Sequence, residues 1–230
     1  MRPWLLVVLC ALGFGCGRAN VSAAELNSVV ASWLAAQTNI QSWSADFTQT
    51  RAFKSLAQPL TATGHVWFAA PNRFRWEVKH PLPTIAVRAP TEMLVIYPRL
   101  KRVEHFPLTG GQGGQWRDAL GLLEAGFPRS QEQLQAQYDI LSYTIKDHTC
   151  ELVLQPKSAA ARRMMPQIRI EFDTNDFSLR ATELQFVDGS TMRNDFHDPV
   201  INPPIDEKLF APEIPPDYKN VEPLKGKEHR

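Results

Sequence analysis

The stretch from Gly64 to Pro81, GHVWFAAPNRFRWEVKHP, sets the strongest limit on what this chain can fold into. Phe74, Trp76 and Val78 alternate with Arg73, Arg75, Glu77 and Lys79. A period of two is that of a β-strand with one face on a core and the other toward water. The segment before it, 60–68, alternates in the same way, and Pro71-Asn72 between them is turn chemistry. The pair predicts a β-hairpin with one aromatic and one charged face. An inverted parity in its first strand puts Trp67 on the aromatic face in place of Val66 and Phe68. The hairpin has the composition of an apolar wall, not of a catalytic centre.

The same pattern recurs along the chain. Strands are expected over 43–53, 84–88, 92–97, 101–106, 138–146, 150–155, 167–172, 179–187 and 191–196. With the hairpin this makes about eleven. Their separators are short, and Asp188-Gly189-Ser190 is a hairpin-turn signal, so the strands form antiparallel meanders and not βαβ units. Three segments read as helices. Over 25–37, Leu26, Val29, Val30, Trp33 and Leu34 form one apolar stripe. Residues 116–125 place Trp116, Leu120 and Leu123 on one side. The third opens on a capping box, Ser130 with Gln133 at N3, and holds little apolar besides Leu134, so it reads as exposed. An antiparallel sheet of this size must curl or close. The insert 109–136, with its two helices, divides the strands into two runs and is placed to cover a mouth. The pattern fits a curled sheet filled by its own side chains ahead of one enclosing a cavity, because interiors are normally close-packed. Beyond residue 197 the chain is rich in proline, 206–210 is long enough for a single helical turn, and a polar tail is expected from Asp217.

The 230 residues suit a single domain. The net charge of +1 carries no basic excess of the kind nucleic-acid binding requires. The glycine-rich run 109–115 is not followed by Gly-Lys-Ser/Thr and so is no phosphate-binding loop. The six histidines show no His-Glu-x-x-His spacing, and no Gly-x-Ser-x-Gly elbow occurs. His105 beside Glu104, and His197 between Asp195 and Asp198, read as solvated pairs at strand edges and turns. The expectation is a protein that is not an enzyme and uses no metal or cofactor.

Arg2 followed by the apolar run 4–14 and then by small residues is the pattern of a secretory signal peptide, too short to span a bilayer. Val21-Ser22-Ala23 offers a peptidase site, so residues 1–23 are read as the signal, 24–216 as the domain and 217–230 as a flexible tail. Cleavage there removes Arg2 and Arg18 and no acid, taking the charge from +1 to −1. It leaves Cys150 without a disulfide partner, and this thiol reads as a small buried apolar group. A competing reading lipidates Cys16, but a lipobox wants Leu three residues before the Cys, and Gly13 stands there.

The hairpin also carries a family resemblance. G-x-V-W-F-x-x-P-N-x-F-x-W, with Ala45-Asp46-Phe47-Thr48-Gln49 upstream, resembles the LolA-type periplasmic lipoprotein carrier family over about residues 26 to 216. The resemblance implies an open, curled antiparallel half-barrel with a helical lid, and a carrier that takes acyl chains of lipoproteins, or another lipid, in a hydrophobic cavity. It implies an inner-membrane ABC-type or other exporter as donor, an outer-membrane acceptor, and a monomer that binds no nucleic acid. Phe47, Val66, Phe68, Phe74, Trp76, Ile85, Leu94 and Ile96 are the expected wall, and Leu120, Leu123 and Phe127 the expected lid side. A lipid-anchored LolB-like acceptor, or a lipid-sensing module of the RseB-like kind, shares the fold. Many members carry an Arg before the turn proline that is thought to hold the lid; here that position is Ala70. The protein recovered from the periplasm is expected to begin at Ala24 by mass spectrometry. A protein found wholly in membranes with a diacylglyceryl group on Cys16 contradicts this.

Overall fold

Alternation along the strands decides which side chains share a face, and cross-strand register carries that decision through the sheet. The computed structural model describes residues 23–88, 91–108 and 130–221. Its strands are β1 (Ser42–Ala52), β2 (Leu60–Ala69), β3 (Arg73–His80), β4 (Thr84–Arg88), β5 (Glu92–Tyr97) and β6 (Arg102–Pro107), then β7 (Tyr138–Lys146), β8 (Thr149–Pro156), β9 (Gln167–Asp173), β10 (Leu179–Gln185), β11 (Thr191–Ile201) and β12 (Lys219–Val221). They form one sheet in the order β12-β6-β5-β4-β3-β2-β1-β11-β10-β9-β8-β7. Two antiparallel meanders therefore meet where β1 pairs with β11. The edge strands β12 and β7 lie at opposite ends of this order, so the sheet is open.

The described helices are α1 (Ala23–Thr38), α2 (Gln131–Gln137) and α3 (Ala159–Met164). As the stripe predicts, α1 turns Val30, Trp33 and Leu34 to the sheet, and Trp33 stacks on Phe172 of β9 with ring centroids 4.7 Å apart. Ser130 caps α2 by accepting from the Gln133 amide at 3.1 Å, as the capping box requires, while Leu134 is fully buried in the core and ties this otherwise polar helix down. The α3 segment is expected as loop; Ser158 instead caps a short helix by accepting from the Ala161 amide. The expected helix over 116–125 lies outside the described residues.

Paired residues in adjacent strands share a face. The row Ala45–Val66–Trp76–Ala86–Val95–Glu104, from β1 to β6, therefore lies on the inner face, the side on which α1 packs. The main core joins α1 to the inner faces of β1–β3 and β7–β11. Cys150 sits fully buried in it on β8, and burial pushes its thiol up to about 11.

The outer face has its own cover, which the sequence pattern does not announce. The chain leaving β11 crosses the outside of β2–β6. Its single 3-10 turn, Glu207–Phe210, falls where one helical turn is expected, capped by Asp206 accepting from the Lys208 amide. Arg73 pairs with Glu207 and lies over the Phe210 ring, and Arg75 donates to the Leu209 carbonyl at 3.4 Å. Phe210 and Ile205 pack on Ala69, Val87 and Trp67; Ile214 and Tyr218 pack on Leu94, Ile96 and Val103. The strap then adds β12 parallel to β6, with Lys101 paired to Asp217 at 2.7 Å. Where a flexible tail is expected from Asp217, residues up to Val221 are thus part of the fold, and β12 is the strand beyond the eleven expected.

Because Phe210 is 5% exposed and is the strap's central anchor, Phe210→Ala should cost about 3 kcal/mol in urea unfolding, within the range for buried Phe to Ala changes. An unchanged midpoint would mean that the strap adds no stability.

Candidate functional site

The inner face of β1–β3 is built from rings laid over small residues. Phe47 of β1 and Trp76 of β3 meet at 4.3 Å between centroids, and Trp76 meets Phe196 of β11 edge-on at 6.2 Å. Trp43 meets the same Phe196 at 5.2 Å. Rings from β3 and β11, with β2 and β1 between them, converge in this way because the sheet curls and the positions beneath are Ala45 and Gly64. A Cβ on Gly64 would lie 2.6 Å from Phe47 Cζ and 2.0 Å from the Glu77 carbonyl oxygen. Glycine is needed here for space.

Next to this lies a second apolar cluster on the inner face of β3–β6. Phe74, Met93, Val95, Phe106 and Leu108 are its buried members, with Trp76, Ala86 and Tyr97 packed against them. Trp76 belongs to both clusters and joins them. Among the described residues no helix adds a side chain to the second cluster, in contrast to the α1-covered main core. A polar corner bounds it: Arg102 pairs with Glu104 and lies 4.8 Å over the Tyr97 ring, and the Tyr97 hydroxyl donates to Glu104 at 3.3 Å. Burial raises the Tyr97 pKa, keeping the phenol neutral. Arg88 shares the row of Phe74, Met93 and Phe106, and desolvation lowers its pKa. On the other side of the ring cluster Gln49 donates to Asn194 at 2.9 Å, Asn194 to Thr182 at 3.2 Å, and Arg51 to Gln49 at 3.0 Å. The apolar inner face is thus bordered by hydrogen-bonded polar groups at each side.

Of the expected wall residues, the structure brings Phe47, Val66, Phe68, Phe74 and Trp76 together on the inner face. The hairpin parity is the expected one: Trp67 points outward, its ring 4.2 Å from that of His65. Ile85, Leu94 and Ile96 are placed differently. They lie on the outer face, with Leu94 and Ile96 under Ile214 and Tyr218. In β4 and β5 the strap makes the outer face the more apolar one, so alternation read alone reverses their sides. The inner positions there are Ala86, Met93 and Val95, which the sequence reading missed. Ile205, Phe210, Ile214 and Tyr218 in the proline-rich segment are the sequence signal of a second apolar surface to be covered. Leu120, Leu123 and Phe127 lie outside the described residues.

The histidine pairs stand on the outer face in other company than expected. His105 lies 3.0 Å from Glu92 and 3.0 Å from the Asn220 oxygen, holding β12, and His197 lies 3.2 Å from the Thr48 hydroxyl. His65 lies 2.7 Å from Asp46, a pair the sequence reading missed. Among the described residues no group of three or more His, Cys, Asp or Glu side chains is placed to hold a metal ion.

A family model described as outer membrane lipoprotein carrier protein LolA matches residues 38–213. No curated protein matches the sequence. Among solved structures, an uncharacterized conserved protein from Thermus thermophilus has a similar fold, with TM-score 0.51 and 9% identity over 86% of this chain and 98% of that one. The LolA superfamily protein NE2245 from Nitrosomonas europaea aligns with TM-score 0.40 and 12% identity, over 77% of this chain and 96% of its own. The Mycobacterium tuberculosis lipoprotein LppX aligns with TM-score 0.43 and 12% identity, over 80% and 99%.

Gly64→Ala should destabilise the protein by about 2 kcal/mol, the usual cost of overpacking a filled site. Thermal unfolding with near-ultraviolet dichroism of the ring cluster is the check. An unshifted transition would show that both the Phe47 ring and the β3 backbone at Glu77 give way.

Proposed function

The chain belongs to the LolA family of outer membrane lipoprotein carrier proteins, and on that footing we propose that it is a periplasmic carrier of acylated lipoproteins or a related lipid. It reaches the periplasm by the signal peptide ending near Ala23. It takes cargo from an inner-membrane exporter and delivers it to an acceptor at the outer membrane. It makes and breaks no covalent bond in doing so.

The observation that carries this reading is the inner-face cluster of β3–β6. It is apolar and ring-rich, continuous with the main core through Trp76, and bordered by Arg102, Glu104 and Tyr97. Acyl methylenes laid against such a surface gain about 0.8 kcal/mol each, so a few of them give useful, reversible affinity. Phe74, Trp76, Met93, Val95 and Phe106 are the contacts this reading assigns to the chains. Aromatic faces and the soft, unbranched Met93 side chain adapt to acyl chains of different length, which suits a carrier of varied cargo. The polar corner lies where a headgroup or peptide would leave the apolar wall.

Trp76→Glu should lower transfer of a fluorescent acylated peptide by about ten-fold, because it sets a charge into an apolar surface. Gln185→Glu adds a negative charge to the outer face of β10 and should leave transfer unchanged. Equal loss from both variants, or no loss from a Trp76→Glu protein with normal far-ultraviolet dichroism, contradicts the reading.

A further inference from the structure

Exposed apolar side chains gather at one end of the sheet. Nine large ones are exposed among the described residues, and six of them lie at the loop tips that follow β1, β3, β5 and β10. These are Phe53 and Leu56 between β1 and β2 with Leu60 opening β2, Leu82 between β3 and β4, Leu100 between β5 and β6, and Val187 between β10 and β11. Leu100 is 65% exposed and Val187 72%. Exposed single apolar residues are ordinary; six on neighbouring tips are not.

The tips are adjacent in space. Thr63 pairs with His80, which sets the β1–β2 tip beside the β3–β4 tip. Ile85 pairs with Ile96, which sets the β3–β4 tip beside the β5–β6 turn. The Lys54 side chain crosses to the β10–β11 turn, where a Cβ on Gly189 would meet Lys54 Cε at 2.2 Å.

Charge divides along the same axis. Residues 51–60, 79–83, 98–101 and 187–190 carry Arg51, Lys54, Lys79, Arg99 and Lys101 against Asp188 and the strap's Asp217, which pairs with Lys101. At the opposite end Asp147 and Asp176 are paired with Lys146 and Arg180, and Asp198 lies near the end of β11, so no excess of cations gathers there. One end of the molecule is apolar with an excess of cations, and the other has no such excess.

We propose that the apolar, cationic rim formed by the Phe53–Leu60, Leu82, Leu100 and Val187 tips docks the protein on the surface of an anionic phospholipid bilayer. Separate apolar tips ringed by cations suit insertion among lipid headgroups, where each side chain finds its own space. A protein partner would more naturally be met by a continuous patch or groove. Anionic headgroups complement the cations at this end, so charge favours the same orientation as the apolar tips. The contact is shallow and reversible, and salt weakens it by screening. This inference stands apart from the carrier reading, since it concerns the strand ends and not the inner face.

The test is flotation of the chain beginning at Ala24 with phosphatidylglycerol–phosphatidylcholine vesicles and with pure phosphatidylcholine vesicles, at low and high salt. Binding is expected to the anionic vesicles at low salt, with little to the neutral ones. Phe53→Asp combined with Leu56→Asp should lower vesicle partition about ten-fold, because it replaces two inserting side chains by anions. Lys54→Glu combined with Lys79→Glu should lower it as well. Val200→Asp combined with Ile201→Asp, at the opposite end, should not. All three changes lie in exposed positions, and circular dichroism checks that each variant is folded. Absence of binding to anionic vesicles overturns the proposal and leaves the tips to a protein partner. Equal binding to neutral vesicles, or equal loss from the Val200/Ile201 variant, overturns it too.

Discussion

A sheet of twelve strands that does not close on itself has two faces to keep from water, and the layout of this molecule follows from how each is covered. On the inner side α1 lays Val30, Trp33 and Leu34 across the β7–β11 half. On the outer side the ion pairs Arg193–Glu171 and Arg169–Glu183 let β9–β11 face solvent. The outer side of β2–β6 is too apolar for that, and the strap from Ile205 to Tyr218 lies over it. What remains is the inner side of β3–β6, apolar and reached by none of the described helices. The candidate site is thus the part of the sheet that the described helices and the strap leave to other contacts.

The same accounting explains why the hairpin is so specific in sequence. Phe47, Trp76 and Phe196 meet over Ala45 and Gly64, so rings and small residues must alternate in register across several strands. Arg73 and Arg75, on the opposite side of β3 from these rings, reach Glu207 and the Leu209 carbonyl. One strand therefore holds the inner wall with its apolar side chains and the outer strap with its arginines. Ala70 stands before the turn proline, and Arg88 puts a guanidinium on the inner face near the same end of β3.

Much of this was legible in the residues. Alternation gave the hairpin, its parity and nearly every strand, because strands with one wet face print a period of two. The α1 stripe and the Ser130 cap were legible for equally local reasons. Ile85, Leu94 and Ile96 were misplaced because alternation reports which face is more apolar, not which face looks inward. In EMLVIY both faces are apolar, and only the distant strap explains it. Met93 and Val95 were missed as wall residues for the same reason. Contacts between segments more than a hundred residues apart, such as Arg75 with Leu209, leave no local trace.

The central claim is that acyl chains lie on the inner face of β3–β6. Photo-crosslinking tests it most directly, with an acylated peptide carrying a diazirine along its chain and peptide mass mapping of the adducts. The account predicts adducts concentrated on Phe74, Trp76, Met93, Val95 and Phe106, suppressed by excess unlabelled acylated peptide. Adducts centred on outer-face strands or on the strap, or labelling that competitor leaves unchanged, would contradict it.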